Sequence, residues 1–333
     1  MNVTVALPMY NTGNTVFKLL DSLRHQSYKK FNMLLVYKEW PGCKDMIGRI
    51  KEYKDLEMDF ARQDAGRFEE ALNTIYRKAD GDIVIHTDDD AYASKDWIKE
   101  HVELHRRHKG IGIATGIVDE STFSDGTPLP FLTRLLNEQK WRMNKHTIID
   151  RPIDERFRGY GMYIGKSGML VDTGIRYNLI KTFKQHGVNM SWKRDALHEF
   201  RLPGYTKQGG RNEAAAALEV LERGFLPVWF EGGEVFHPLQ RSDSRSASIG
   251  SLPVELTAES VLFSYYVSKR YAVDLNALRT RVKLLDDPIT KVMTAWENKG
   301  YAIGYSIAKE AVMHNWPPKR VRTALIKAIQ TGG

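Results

Sequence analysis

Three consecutive carboxylates, Asp88, Asp89 and Asp90, follow a short apolar run at residues 83–85. Adjacent carboxylates repel one another, so a fold that keeps them together must offset that cost. A hard divalent cation such as Mg²⁺ or Mn²⁺ does so, because it prefers oxygen ligands and commonly bridges carboxylates and phosphate oxygens. The plainer alternative is an acidic turn in solvent, or a helix start whose dipole favours acids. The position directly after an apolar strand favours the metal site.

Two further residues have the chemistry of an active site. Glu213 lies in the first turn of the helical run RNEAAAALEVLERG, for which Gly224 is the predicted C-cap. As a general base, its carboxylate would face an acceptor hydroxyl, and its plainer role is to interact with the helix dipole. His237 ends the strand-like run GGEVFHP and is a candidate metal ligand, although a single histidine is more often structural.

Alternating strands and helices are predicted to position the acidic triplet. The predicted elements are strands at residues 3–8, 33–36 and 83–85, a helix after Asn14 as N-cap, and a helix at residues 67–79. This alternation predicts an α/β fold with a mostly parallel sheet and helices on both faces. Because ligands bind beyond the carboxyl ends of such strands, Tyr10 and Asn11 are expected beside the triplet.

The rest of the chain divides by composition. The predictions are a helix capped by Ser94 and running to residue 108, and strands at residues 111–118, 226–230 and 235–236. Residues 240–251 (QRSDSRSASIGS) are too polar to pack and predict a mobile loop. Residues 252–333 predict a helical C-terminal segment, with Val261, Leu262, Tyr265 and Tyr266 on one face and Ala302, Ile303, Ile307 and Ala311 on another.

Composition narrows the function classes. Cys43 is the only cysteine, which excludes an intrachain disulfide and a multi-cysteine zinc site. No apolar run is long enough to span a bilayer, and the first residues do not read as a signal peptide, so a cytoplasmic protein is expected. The net charge of +8 suits an anionic partner such as nucleic acid, an acidic membrane or a phosphorylated substrate, or it is a scattered basic surface.

Taken together, these motifs resemble family 2 glycosyltransferases of the GT-A fold. The segment VTVALPMYNTGNTVFKLLDSLRHQSYKKFNMLLV resembles the family's first strand, turn, helix and second strand. DAGRFEEALNTIYRKADGDIVIHTDDD resembles the helix and strand that lead to its DxD motif. NMSWKRDAL, the Glu213 helix and the terminal His237 resemble the family's second half. The resemblance covers residues 1 to about 240.

The resemblance implies a role for each matching position. Residues expected to bind the nucleotide sugar are Pro8, Tyr10, Asn11, Glu39, Arg67, Asn73, Asp88 and Asp89. Asp90 is the expected main metal ligand, with Asp88 and His237 beside it, and the cofactor is a divalent cation, Mn²⁺ or Mg²⁺. Glu213 matches the second acid of the family's Glu-Asp pair, and Asn212 stands where the first acid is usual. Glu39 ends Tyr37-Lys38-Glu39, where the family usually has consecutive aspartates.

The function predicted from the resemblance is an inverting hexosyl transfer from a nucleotide-diphosphate sugar to an acceptor hydroxyl. Arg241 and Arg245 of the polar loop are predicted to close over the diphosphate. The acceptor, whether glycan, lipid-linked or protein, stays open. The predicted domains are a GT-A catalytic domain at residues 1–240, with a nucleotide-sugar half at 1–118 and an acceptor half at 119–240, then a mobile loop at 241–251 and a helical subdomain at 252–333.

Two other function classes compete with this interpretation. A nucleotidyltransferase acting on a sugar phosphate would show a Gly-rich, basic loop after the first strand, where this chain has PMYNTG. A basic nucleic-acid-binding protein would show a recognised groove-binding motif, and none is found, so no nucleic acid is expected as a partner. The basic residues of the C-terminal segment, with Trp296, Tyr301 and Trp316, instead suggest peripheral contact with an acidic membrane.

Overall fold

The computed structural model of the chain describes residues 1–64, 66–122, 150–175, 177–238, 254–285 and 298–331. The chain forms two compact units. The first comprises Met1–Thr122, Tyr177–Leu202 and Ala216–Pro238, and the second comprises Phe123–Arg176, Pro203–Ala215 and Leu239–Gly333. The domain boundaries predicted from the sequence stay a prediction.

The described residues form strands and helices throughout the chain. In order these are β1 (Val3–Met9), α1 (Thr15–Arg24), β2 (Phe31–Tyr37), α2 (Cys43–Ile50), β3 (Met58–Arg62), α3 (Phe68–Lys78), β4 (Ile83–His86), β5 (Tyr92–Ala93), α4 (Trp97–Arg107), β6 (Ile111–Thr115), β7 (Val118–Asp119), β8 (Met162–Ile164), β9 (Leu170–Asp172), β10 (Leu179–Lys181), β11 (Met190–Lys193), α5 (Arg194–Leu197), α6 (Asn212–Glu222), β12 (Leu226–Phe230), β13 (Val235–Phe236), α7 (Val254–Val267), α8 (Leu275–Leu285), α9 (Asn298–Met313) and α10 (Pro318–Gln330).

The first unit is built on a mostly parallel sheet. Its strand order within the described residues is β10-β12-β6-β11-β4-β1-β2-β3. Strands β1 to β4 all run parallel, whereas β11 is antiparallel to both β4 and β6. The predicted α/β fold class, with a large sheet, flanking helices and a helical C-terminal extension, is confirmed. One strand–helix step, α2 and β3, was missed, because α2 buries only Cys43 and Ile50 and β3 is a half-exposed edge strand.

The core of the first unit lies between the sheet and its helices. Alternate residues of β1, namely Val3, Val5 and Leu7, are at most 1% exposed, and so are Leu19 and Leu20 of α1. Fully burying one such side chain stabilises the fold by roughly 1.5–3 kcal/mol. This packing fixes the first strands and therefore the loops at their carboxyl ends.

Two predicted helix caps are not as expected. Asn14 does precede α1, but its side chain makes no capping hydrogen bond and its Oδ1 accepts from Arg49 Nη1 at 3.0 Å. The prediction of Ser94 as N-cap is wrong, because α4 begins at Trp97 after Asp96. The backbone N–H of Ser94 donates instead to Glu234 O at 3.0 Å, next to the β5–β13 pair.

The strand predicted at residues 111–118 is divided into β6 and β7. Gly116 lies at the break, where a Cβ would come within 2.3 Å of Gly232 O and 2.6 Å of Gly233 O. Only a residue without a side chain allows this approach, and the chain leaves the large sheet here to join a smaller one. The other predicted strands, at 226–230 and 235–236, are confirmed with the same bounds. Gly224, the predicted C-cap, has φ +84° after α6, as a helix end requires.

A polar network is buried behind the large sheet. Ser191 Oγ of β11 lies 2.8 Å from His101 Nδ1 and 2.9 Å from His105 Nε2, and Asn189 Oδ1 lies 3.0 Å from His101 Nε2. Trp97 Nε1 donates to the same Asn189 oxygen at 2.9 Å. Burial lowers the pKa of His101 to about 4 and that of His105 to about 3, so both rings are neutral at physiological pH.

The second unit contains the β8–β9 hairpin and four described helices, α7 to α10. Residues 257–267 of α7 are all buried, which makes α7 the central helix. Helix α9 approaches it closely at two glycines: a Cβ on Gly304 would come within 2.6 Å of Ala258 O, and one on Gly300 within 2.6 Å of Val254 O. The backbones of the two helices therefore pack without intervening side chains.

The predicted apolar faces of the C-terminal helices are largely as expected. The face of α7, residues Val261, Leu262, Tyr265 and Tyr266, is buried, and so are Ile303, Ile307 and Ala311 of α9. The prediction for Ala302 is wrong, because it is exposed: the helical stripe begins one residue later, at Ile303.

Two residues assigned to the exposed basic and aromatic surface are buried instead. Arg281 is 5% exposed, with its Nη1 3.6 Å from Asp150 Oδ2 and its Nη2 donating to Leu170 O at 3.0 Å. Tyr301 is 2% exposed. Both therefore belong to the core of the second unit, while Trp296 lies outside the described residues.

Among the described residues, no helix has the length and apolar character needed to cross a bilayer.

Candidate active site

The carboxyl ends of four parallel strands meet at one edge of the large sheet. The registers align Met9 of β1 with Tyr37 of β2, Tyr37 with Arg62 of β3, and Ala6 with His86 of β4. The hydrogen bond from Thr87 N to Ala6 O, 3.2 Å long, continues the β4 pairing up to the acidic triplet. The loops after these strands carry most residues predicted to bind the nucleotide sugar.

A second, three-stranded sheet gathers the residues of the predicted metal site. Strand β13 lies between β5 and β7, pairing Phe236 with Tyr92 on one side and with Asp119 on the other. Asp90 lies just before β5, His237 just after β13, and Glu120 just after β7. The rings of Tyr92 and Phe236 stack at 5.1 Å, which reinforces this pairing. Three segments distant in sequence thus deliver polar side chains to one place.

Asp88, Asp90 and His237 form a cluster suited to a cation. One potential ligand atom from each lies within 4.8 Å of the others. His237 Nε2 is 3.3 Å from Asp90 Oδ1, and all three side chains are half-buried. Two carboxylates and one imidazole make an oxygen-rich donor set of the kind that Mn²⁺ accepts. The structure therefore brings together the three predicted metal ligands.

Glu120 completes the surroundings of His237. Its Oε1 lies 3.3 Å from His237 Nδ1, on the side of the ring opposite Asp90. Metal-binding histidines usually engage a carboxylate or carbonyl through the second ring nitrogen, which fixes the ring. The sequence prediction missed Glu120; the only signal was an acid two residues after an apolar strand position.

The charges around His237 favour a cation at this point. Burial lowers its pKa, but hydrogen bonds to Asp90 and Glu120 outweigh that effect and raise the pKa to about 10. The hydrogen bond to His237 correspondingly lowers the pKa of Glu120. The imidazolium is thus the positive charge that offsets the carboxylates, and a bound divalent cation would take over that role as the ring loses its proton. The residues present fit a divalent metal.

Asp89, the middle acid of the triplet, is directed elsewhere. Its carboxylate accepts a short hydrogen bond from Thr12 Oγ1, in the loop after β1. Burial, together with the charges of Asp88 and Asp90, raises the pKa of Asp89 to about 7. Asp89 therefore ties the acidic loop to the first loop, and Thr12 is a second residue that the sequence prediction missed.

The predicted nucleotide-sugar residues after β1 are accessible. Tyr10 is 65% exposed, with Lys38 Nζ 5.9 Å from the centre of its ring. Asn11 is exposed and has φ +56°, a left-handed conformation that asparagine tolerates. Pro8 lies inside β1, aligned with Val36, and the strand continues through Met9, one residue past its predicted end.

The remaining predicted residues of the first unit differ in their exposure. Glu39 is exposed and pairs with Arg62, at 3.0 Å. Arg67 is exposed immediately before α3. Asn73 is buried, and its Oδ1 accepts from Leu202 N at 2.8 Å. The side-chain amide of Asn73 therefore holds the backbone at residue 202.

Glu213 belongs to the second unit. It is half-buried in the first turn of α6, two residues after Arg211, whose φ is +68°. Arg241 and Arg245 lie outside the described residues, and so does the loop that carries them.

Residues 4–160 match the family described as Glycosyl transferase family 2. Among characterised proteins, the chain is similar to the glycosyltransferase GlyA of Streptococcus pneumoniae serotype 4, with 29% identity over 100 residues. That match covers 29% of this chain and 14% of GlyA, so the chain aligns with only a small part of its relative.

Two solved structures have a similar fold. One is the mannosyltransferase PcManGT from Pyrobaculum calidifontis in complex with GDP-Man and Mn²⁺, with a TM-score of 0.55, 17% identity, and coverage of 98% of this chain and 86% of that one. The other is S. aureus TarS in complex with UDP-GlcNAc, with a TM-score of 0.54, 12% identity, and coverage of 100% and 92%. At these identities the likeness shows the GT-A fold.

Proposed function

We propose that this chain, a family 2 glycosyltransferase over residues 4–160, transfers a sugar from a nucleotide-diphosphate donor to an acceptor hydroxyl with inversion. The observation that carries the proposal is the cluster of Asp88, Asp90 and His237 at the carboxyl edge of the sheet. Ligands of open α/β sheets bind at that edge. PcManGT and TarS were solved with nucleotide sugars, which supports the same donor class here.

The metal would be held by Asp88, Asp90 and His237, and a divalent cation supplies Lewis-acid neutralisation of the departing diphosphate when bound. Glu120 fixes the His237 ring from its far side, at 3.3 Å. Exposed Tyr10 and Asn11 are available to border the nucleotide. We assign the donor to the loops after β1, β2 and β4, with Glu39 and Arg67 at their margin.

Glu213 is our proposed general base. Its carboxylate would accept the proton of the acceptor hydroxyl while the hydroxyl oxygen attacks the anomeric carbon. The bond from that carbon to the diphosphate oxygen breaks on the opposite face, so one displacement inverts the configuration. Asn212, the residue before it, offers no second carboxylate, so a single base carries this role.

The competing functions have less support. The family model and the solved structures named above are those of glycosyltransferases, which supports the glycosyltransferase proposal over a nucleotidyltransferase or a nucleic-acid-binding protein. PcManGT was solved with GDP-Man and TarS with UDP-GlcNAc, so both GDP and UDP are tested as the nucleotide.

The metal assignment is tested by calorimetry with Mn²⁺ and either UDP or GDP. We expect Asp90→Ala to abolish the Mn²⁺-dependent part of nucleotide binding, because it removes one of the three proposed metal ligands. The circular dichroism spectrum should stay unchanged. Asp45→Ala, which removes an exposed acid in the first turn of α2, is the matched control and should bind normally. Unchanged Mn²⁺-dependent affinity in Asp90→Ala would reject the metal site.

A further inference from the structure

Glu259, on the central helix α7, is a fully buried carboxylate that accepts hydrogen bonds from the backbone of a loop. It is 0% exposed. Its Oε1 accepts from the backbone N–H groups of Lys207 at 2.5 Å and Gln208 at 2.8 Å, and its Oε2 accepts from Gly210 N at 2.7 Å. Three backbone donors thus converge on one carboxylate.

These three hydrogen bonds stabilise the buried carboxylate and fix the position of the loop backbone. A buried carboxylate without partners would be costly, whereas one that accepts several N–H bonds is stabilised. Each of these bonds also satisfies a backbone donor in a segment without regular secondary structure. The loop at residues 207–210, which we call the anchor loop, is therefore held to α7 at three consecutive or near-consecutive positions.

The anchor loop leads directly into the helix that carries Glu213. Gly209 and Arg211 both have left-handed backbone conformations, with φ of +84° and +68°. Asn212 N donates to Gly209 O at 3.3 Å, and Ala215 N donates to Arg211 O at 3.0 Å, so the first turn of α6 is built on the loop. A shift of the anchor loop would therefore move the start of α6 and the Glu213 side chain.

There is no room for the loop to shift inward. A Cβ on Gly210 would lie 2.9 Å from both Glu259 Cβ and Glu259 Oε2. The backbone thus packs directly against the carboxylate. A second tether, from Lys207 Nζ to Glu255 Oε1 at 2.7 Å, joins the same loop to the same helix one turn away, through side chains that are about one-fifth exposed.

We propose that Glu259 is a positioning residue for Glu213, and that the C-terminal helices belong to the catalytic apparatus because they fix the anchor loop. This inference rests on the proposed function of Glu213 as base. It gives the segment after residue 252 a role in transfer: α7 sets the start of the helix on which the base stands.

The first test compares Glu259→Gln with the matched control Glu255→Gln. In Glu259→Gln an NH₂ group replaces one acceptor oxygen, so at least one backbone N–H of the anchor loop loses its partner. We expect kcat for transfer to fall about 10- to 100-fold, since a displacement of about 1 Å costs on the order of 10²-fold. The Mn²⁺-dependent nucleotide affinity and the KM for the donor should stay within about twofold of wild type, a change well below the smallest expected fall in kcat. Glu255→Gln weakens the outer tether from Lys207 and leaves the three backbone bonds to Glu259 in place, so kcat should stay nearly unchanged.

A double-mutant cycle separates positioning from general damage. If Glu259 acts through Glu213, adding Glu259→Gln to Glu213→Gln causes no further loss of transfer. Multiplied losses would show that Glu259 acts by another route and would overturn the inference. Should Glu259→Gln fail to fold, Gly210→Ala takes its place: it crowds the carboxylate from the loop side and should lower kcat by the same 10- to 100-fold, again only when Glu213 is present.

Hydrogen exchange of the peptide spanning residues 203–215 gives a readout that does not depend on activity. Exchange at the anchor loop should rise in Glu259→Gln and stay near wild type in Glu255→Gln. Wild-type transfer by Glu213→Gln would reject the proposed base and with it the positioning role. Loss of transfer in Glu213→Gln together with normal transfer and exchange in Glu259→Gln would reject the positioning role alone.

Discussion

Side chains of the same type have different surroundings at this site, because each has different partners. The three adjacent aspartates have different surroundings: Asp90 faces His237, Asp89 accepts from Thr12, and Asp88 joins the cation cluster. Separating their partners reduces the repulsion that three neighbouring carboxylates would otherwise suffer. A run of identical residues in the sequence thus has different partners in the fold.

The residue that most directly tests the reaction is Glu213. We expect Glu213→Gln to retain nucleotide and Mn²⁺ binding and to lose transfer by about 10²- to 10⁴-fold, because an amide does not accept the proton. Initial-rate measurements of sugar transfer, with nucleotide binding measured in parallel, test this expectation. Asp195→Asn, which changes an exposed acid on α5, is the matched control. If Glu213→Gln transfers normally and Asp195→Asn does not, Asp195 is the base.

At the scale of elements, very short strands bring the side chains of the candidate site together. Strands β5, β7 and β13 have two residues each, yet their pairing brings Asp90, Glu120 and His237 together. Strand β11 has a comparable role in the large sheet, because it inserts antiparallel between β4 and β6. Its Ser191 then meets the two buried histidines of α4, so the α4–β11 contact is polar at its centre.

This buried network predicts a stability loss in acid. The folded-state pKa values of His101 and His105, about 4 and about 3, lie below their ordinary value of 6.5. At pH values between each folded-state pKa and 6.5, the unfolded chain binds more protons than the folded chain. The free energy of unfolding therefore falls as the pH falls below 6.5. The slope is at most about 1.4 kcal/mol per pH unit for each histidine.

Urea unfolding at several pH values between 7.5 and 4.5 measures this slope. We expect His105→Gln to flatten it relative to wild type, whatever its effect on stability at pH 7.5. His108→Gln, which changes an exposed histidine at the end of α4, should leave the slope unchanged. A wild-type slope close to zero, or equal slopes in all three proteins, would show that the buried histidines are not responsible.

At the scale of the whole molecule, the positive charge is unevenly organised. In the second unit, a basic cluster comprises Lys269, Arg270, Lys319 and Arg320, all exposed. The Lys269 Nζ donates to Asn315 Oδ1 at 2.5 Å and lies 4.6 Å from the centre of the Tyr265 ring, and Arg320 lies 4.2 Å from the centre of the Trp316 ring. The aromatic contacts hold these cations at the surface where α7 ends and α10 begins.

The basic cluster predicts reversible attachment to an acidic membrane. Four cations near such a surface contribute about 1 kcal/mol each, so replacing all four with glutamine should reduce binding to acidic liposomes strongly at low salt. Co-sedimentation at two salt concentrations measures this. A matched variant that replaces Lys18, Lys30, Lys44 and Lys54, four exposed lysines of the first unit, should bind like wild type. Binding that is independent of salt, or equal for neutral liposomes, would contradict electrostatic attachment.

The sequence by itself determined the features that depend on neighbouring residues. The apolar runs of β1, β2 and β4, the helical spacing in α3 and α6, and Gly224 at a helix end are local signals, because side-chain periodicity and backbone preference act over a few residues. The acidic triplet is predictable from a local signal too, because it directly follows an apolar run. Ligands bind at the carboxyl ends of such strands. The short helix α2 and edge strand β3 were missed because few of their residues are buried.

Only the tertiary structure decided which distant residues meet. Glu120 and His237 are 117 positions apart and come together through two-residue strands, which are too short to produce a periodic pattern. Glu259 lies in an apolar helix that reads as core, and its three bonds go to backbone N–H groups, which every residue but proline carries and which leave no mark in a sequence. Local signals therefore defined the elements, and long-range pairing decided the constellation at the site.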